Sequence, residues 1–182
     1  MRVDALGLSS LEVYLEHLER QVTQSGRHGL PIFNPFPRDR KVDMDRFRAA
    51  RQTGWALPLH EPGWRRAWGV WDGARIVGGV ELEGGRIAAE MHRASFTIGV
   101  EKSHHRRGLA TNLSAAVIEW ARADDTLEWL DLGVFSHNTA AIALYERLGF
   151  QRVGFVADRF RVDGEVIADI QMELCVEDGN RE

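Results

Sequence analysis

The chain has 182 residues, enough for one domain with a real core, and its 44% hydrophobic and 27% charged residues are the balance of a globular protein. A net charge of −4 excludes broad nucleic-acid binding, which needs a basic face to neutralise phosphates. The single cysteine, Cys175, excludes an internal disulfide and a cysteine-based zinc site. No apolar run approaches the ~20 residues of a membrane span. No charged-then-apolar secretory pattern opens the chain, so a cytoplasmic location is expected.

Residues 1–8 read as a short first strand. Ser9-Ser10-Leu11-Glu12 reads as a capping box. Leu11, Tyr14, Leu15, Leu18 and Val22 then recur at helical spacing until Gly26 and Gly29 stop the helix. Residues 29–40 hold three prolines and no period, which makes a semi-rigid loop displaying Ile32, Phe33 and Phe36. A short helix is expected over 45–51. The clearest hairpin runs over 67–83, turning at Asp72-Gly73, where a type I′ turn would take positive φ values.

Residues 91–100 read as a strand with Ala94, Phe96, Ile98 and Val100 on one face. Residues 110–122 form an amphipathic helix with Leu113, Ala116, Val117 and Trp120 as its stripe. Residues 127–135 read as a buried strand, and Asn138 caps a helix ending at Gly149. The tail holds a second hairpin turning at Asp163-Gly164. Strands and helices do not alternate as in a doubly wound nucleotide fold. The expected class is α/β of the α+β type, with a mixed, largely antiparallel sheet and helices on both faces. One domain is expected over 1–182, with N-terminal helices and loops over 1–62 and a core over 63–176.

Two segments carry chemistry. His105-Arg106-Arg107-Gly108-Leu109-Ala110-Thr111 lies between a strand and a helix. A helix N-terminus offers unpaired N–H groups and about half a positive charge. Small residues at 108 and 110 let that backbone approach an anion, and Arg106 or Arg107 adds charge-assisted hydrogen bonds. The pattern suits a pyrophosphate. It is neither the nucleotide-hydrolase loop nor the dinucleotide fingerprint. The second segment is Asn138-x-x-Ala141-x-x-Leu144-Tyr145-Glu146-x-x-Gly149-Phe150. Ala141 and Tyr145 are four apart and share a helix face. A tyrosine hydroxyl there can donate to a leaving group as charge develops.

Together these segments resemble the signatures of the GNAT superfamily of acyl-CoA-dependent N-acyltransferases, over residues ~65–175. His105 departs from the Arg or Gln usual at its position. Gly154-Phe155 and the Val162-Asp163-Gly164 hairpin, followed by Asp169 and Met172-x-Leu174, resemble the ribosomal-protein N-terminal-acetylating branch. The first ~60 residues resemble nothing strongly.

The resemblance implies about six to seven strands, splayed between the fourth and fifth. It implies acetyl-CoA as acyl donor, no metal, and transfer to a primary amine of a small molecule or protein N-terminus by direct attack in a ternary complex. The cofactor-binding residues it implies are Ile98, Gly99 and Val100 on the strand, His105 to Thr111 in the loop, and Asn138, Ala141 and Tyr145. Tyr145 would assist departure of the thiolate. An N–H near Ile98 to Val100, at a β-bulge, would hold the oxyanion.

The general base stays open. Histone-type members carry a glutamate at the position of Ala94, and alanine cannot act so. His92 and Glu83 rank first, ahead of Glu81, Glu90 and Asp131. His92, His104, His105 and His137 lack compact metal-ligand spacing. Two other readings are a GNAT-fold module that binds acyl-CoA or a partner with little turnover, and a homodimer formed through the C-terminal hairpin.

Overall fold

The structure is a computed structural model that describes residues 1–39 and 41–177. The strands are β1 (Val3–Leu6), β2 (Arg65–Asp72), β3 (Arg75–Gly84), β4 (Arg93–Val100), β5 (Trp129–Phe135), β6 (Gln151–Val162) and β7 (Glu165–Cys175). The helices are α1 (Leu11–Gln24), α2 (Met44–Ala56), α3 (Leu109–Arg122) and α4 (Thr139–Arg147). The strands form one seven-stranded sheet in the order β1-β2-β3-β4-β5-β7-β6. Every neighbouring pair is antiparallel except β4 and β5.

The β4–β5 exception shapes the molecule. The two strands pair only at Arg93↔Trp129, Ala94↔Leu130 and Ser95↔Asp131. Beyond Ser95 and Asp131 they diverge, as the resemblance implies. The outer edge of β4 stays paired to β3 up to Val100, and that of β5 to β7 up to Phe135. The opening therefore costs neither strand its place in the sheet.

Hydrophobic layers cover both faces. On one face α3 inserts Leu113, Val117 and Ala121 against Val80, Leu82, Phe96 and Leu130, all buried. On the other, α1 lays Tyr14 against Ala67 and Ile76. This helix comes very close to the sheet at Gly79, where a Cβ would stand 2.8 Å from the Tyr14 ring. A third cluster joins Ile32 of the proline-rich loop to Phe135, Val162 and Ile167. That loop is thereby pinned across the sheet to the β6–β7 hairpin, and an ion pair from Arg38 to Asp163 at 2.6 Å adds to the clamp.

Several local expectations change. No capping box forms, because Ser9 lies inside a 3₁₀ turn at Leu8–Ser10; Ser10 stands at the N-cap of α1 instead and makes no side-chain cap bond. The second helix is longer than expected: Asp43 caps its start by accepting from Arg46 N at 3.1 Å, and the helix runs on to Ala56. At the first hairpin only Gly73 takes a positive φ, +59°, so it is not the type I′ turn expected. Asp163 and Gly164 do take the type I′ pair, with φ of 50° and 83°. β4 runs against β3 without a register shift, so the expected bulge near Ile98 to Val100 is absent. None of the described helices is long and apolar enough to cross a membrane.

Candidate active site in the splayed cleft

The space opened between β4 and β5 continues into a cleft of about 1220 Å³. It passes from one face of the sheet to the other. At one end lies the start of α3. Arg106 and Gly108 both take left-handed backbone, φ 60° and 76°, which turns the chain sharply into the helix. The first main-chain bond there is Asn112 N to Gly108 O, 3.0 Å, which leaves the N–H groups of Leu109, Ala110 and Thr111 without intrahelical partners. His105 contributes from outside the helix. Its Nε2 lies 2.9 Å from the Val100 carbonyl and ties the loop back to β4.

Ile98, Gly99, Val100, His105, Arg106 and Gly108 line the cleft, followed by Leu109, Ala110 and Thr111. From α4 come Asn138, Ala141 and Tyr145. The structure thus brings together both segments singled out in the sequence. Arg107 does not line the cleft. Asn138 caps α4 by accepting from Ala141 N at 3.3 Å, so its side-chain N–H₂ remains for other use. The Tyr145 ring is wedged edge-on between Phe96 and Phe150, with centroids 6.2 and 5.8 Å away. Burial pushes its hydroxyl up to about 12. The group therefore stays protonated at neutral pH and is a donor.

The two leading base candidates lie outside this lining. Glu83 accepts from Arg65 at 2.5 Å and Arg86 at 3.2 Å beside a smaller hollow that adjoins the cleft at Arg93, Ser95 and Asp131. His92 is half-buried at the foot of β4, where its carbonyl accepts from Glu128 N and Trp129 N. Glu81 is buried and held by Arg51 and Arg65 at 2.9 and 2.6 Å. Asp131 does face the cleft, but Arg93 bonds both its oxygens at 2.8 and 2.5 Å and also reaches Glu173 at 2.9 Å. These carboxylates raise the Arg93 pKa and hold it charged.

Sequence reading gave no site role to Gln21, Arg159, Asp169 or Gln171, which line the cleft beside Phe33 of the proline-rich loop. Of the aromatic residues before β2 and along it, only Phe33 lines the cleft. Trp64 and Trp68 instead stack edge-on against Trp120 in the core, and Trp55 packs on Tyr14. Asp169 is 6% exposed, and burial raises its carboxyl while Arg159 opposes the shift. The sequence marks Asp169 only as part of the hairpin pattern, with no site role; a second cue is Gly133 in a strand of bulky residues, since glycine within a strand often marks a close approach. No group of three or more metal-ligating side chains comes together among the described residues.

An α/β sheet split between two parallel strands, with free helix amides at one end of the split, defines a ligand-binding cleft of one recognisable kind. Residues 33–150 match the Acetyltransferase (GNAT) family, and the chain belongs to that family. The match begins well before the residues whose motifs carry the likeness in the sequence. The chain is 44% identical over 57 residues to mycothiol acetyltransferase of Salinispora tropica, covering 31% of this chain and 19% of that protein. It is 38% identical over 68 residues to N-alpha-acetyltransferase RimI of Mycobacterium tuberculosis, covering 37% and 40%. These stretches span less than half the length of either relative. In structure it resembles yncA, a putative acetyltransferase from Salmonella typhimurium solved with its cofactor acetyl-CoA. The TM-score is 0.75 at 19% identity, over 100% of this chain and 96% of that one.

Proposed function

We propose that this protein transfers the acetyl group of acetyl-CoA to a primary amine, on a small molecule or at a protein N-terminus, by direct attack with both substrates bound. The observation that carries this reading is the single cleft running from the free amides of Leu109, Ala110 and Thr111 to the buried hydroxyl of Tyr145. A helix start of this kind suits the diphosphate of coenzyme A, and Arg106 adds positive charge. The unpaired inner edges of β4 and β5 suit an extended amide-bearing arm, which can hydrogen-bond to strand backbone as a further strand would. The cleft also exceeds the roughly 300–1,000 Å³ of a single-ligand pocket, which suits two substrates side by side.

In this reading Gly108 to Thr111, with His105 holding the loop, grip the diphosphate. Ile98, Gly99 and Val100 offer main-chain groups to the arm, and Asn138 donates to it from α4. Tyr145 hydrogen-bonds the sulfur and protonates it as the C–S bond breaks. Residues 63–176 form the donor-binding core, and residues 1–62 wall the acceptor side. Of the two relatives named above, the N-alpha-acetyltransferase supports a nitrogen acceptor.

Calorimetry with acetyl-CoA, followed by a thiol-release assay over a panel of primary amines and peptide N-termini, tests the proposal. Uptake at micromolar strength and amine-dependent release are expected. Well-folded protein that takes up no coenzyme A would overturn it. Uptake without release above background for any amine would leave a binding module in its place.

A further inference from the structure

We propose that Asp169 receives the acceptor amine on the α1 side of the cleft and takes the proton that the nitrogen sheds as it is acylated. The inference deepens the acetyl-transfer reading and rests on it. Three other carboxylates come close in kind, and each is already committed to an arginine. Glu83 is bonded to Arg65 and Arg86, while Asp131 and Glu173 share Arg93. Asp169 alone among the described carboxylates lining the cleft accepts no hydrogen bond from a side chain. Asp169 is largely buried, and burial disfavours its ionised form, while its oxygens stay open to the cleft. A bound ammonium or amine N–H would satisfy them.

Its position fits that role. Asp169 pairs with Phe135 across β5–β7 and therefore lies on the same sheet face as Gly133. A Cβ at Gly133 would stand only 2.9 Å from Asp169 Oδ2 and 3.2 Å from Oδ1. The carboxylate thus fills the space of the missing side chain and sits over the β5 strand, which forms one wall of the split. Gln21 of α1 lies on the same face, over Gly99 of β4. Tyr145 reaches the cleft from α4, on the opposite face. An amine held at Asp169 would approach the thioester from one face while the sulfur is met by Tyr145 on the other.

The balance is simple. The acceptor nitrogen bonds to the acyl carbon, and the carbon–sulfur bond breaks. One N–H proton passes to Asp169, and the sulfur takes the Tyr145 proton. Exchange with solvent then returns a proton from Asp169 to Tyr145, so amine and thioester give amide and thiol. Burial makes Asp169 a stronger base than a free aspartate, with Arg159 partly opposing this. The other ionisable groups on the cleft are Arg93 with Asp131 and Glu173, Tyr145 and Arg147, and, at the diphosphate end, His104, His105 and Arg106.

The test uses the full chain, acetyl-CoA and two probes: a peptide beginning with alanine and a panel of small primary amines. Asp169→Asn is expected to lower kcat/KM by about 100-fold at pH 7 and to lose the acid limb of the wild-type pH profile. That limb should lie above the ordinary aspartate range. Asp169→Glu should recover part of the loss. Acetyl-CoA affinity by calorimetry should change by less than about threefold, and the melting temperature of Asp169→Asn should equal or exceed that of wild type. An asparagine variant that keeps its rate and its acid limb overturns the proposal. So does a variant whose lost rate is matched by lost stability, because the carboxylate would then be structural. A wild-type protein that binds acetyl-CoA but acetylates no probe also overturns it. Failure to bind acetyl-CoA strikes the acetyl-transfer reading instead.

Discussion

Tyr145 and His17 show how burial sets the state of single groups. The Tyr145 ring packs against Phe96 and Phe150, and burial leaves its hydroxyl a proton donor across the physiological range. Tyr145→Phe keeps that packing and removes the donor. It should lower kcat by about 100-fold while calorimetric acetyl-CoA binding stays close to wild type. His17 lies on the buried face of α1, 1% exposed, and burial holds its imidazole down to about 4 despite the opposing charge of Glu101. A histidine depressed in the folded state contributes stability above its unfolded pKa and loses it as pH falls through the folded one. The loss should therefore run from about pH 6.5 down to about pH 4, amounting to about 3 kcal/mol. Urea unfolding at both pH values checks this. His17→Gln should show a correspondingly shallower pH dependence.

At the scale of elements, the junction from β4 to α3 combines two demands. The chain must turn sharply, and the first helix amides must stay free. Gly108 meets both, because its φ of 76° is costly for other residues and nothing lies within 4 Å of where a Cβ would be. Gly108→Ala should therefore destabilise by conformation alone, by about 1 kcal/mol, without a steric clash in the core. Its effect on acetyl-CoA affinity tests whether the turn also aims the amides. Denaturant unfolding gives the first quantity and calorimetry the second. The α4 start works through its side chain instead. Asn138→Ala should remove the cap to Ala141 N at a cost of about 1 kcal/mol, read in the same unfolding experiment.

Across the whole molecule, the proline-rich loop links the first third of the chain to the last hairpin. Ile32 fills the cluster with Phe135, Val162 and Ile167 and is 6% exposed. Arg38 and Asp163 add a contact that is largely open to water. The apolar contact should dominate, since exposed ion pairs are screened and their side chains must be ordered. Ile32→Ala should lower stability by about 2–4 kcal/mol, whereas Arg38→Ala should change it little. Chemical denaturation of both variants decides between them. The same loop carries Phe33 to the cleft. Loosening it at Ile32 should therefore raise KM for the acceptor more than for acetyl-CoA.

Much of the proposed donor side was legible in the chain. Gly108 and Ala110 after basic residues, and Asn138 three residues before Ala141 and seven before Tyr145, are local patterns. Helix starts and helix faces depend on neighbours within one or two turns, so spacing alone placed these residues correctly on α3 and α4. The proposed acceptor side was not legible. Whether Glu83, His92 or Asp131 has a free carboxylate or imidazole at the cleft depends on arginines brought from other strands and helices. Asp169 lies 36 positions from Gly133 in the chain, and only the register of β5 on β7 stacks one over the other. By itself the sequence determined the elements and the amide-rich turn, which are short-range. Only the tertiary structure decided which acid is left without a partner, because cross-strand pairing and burial act between residues far apart in the chain.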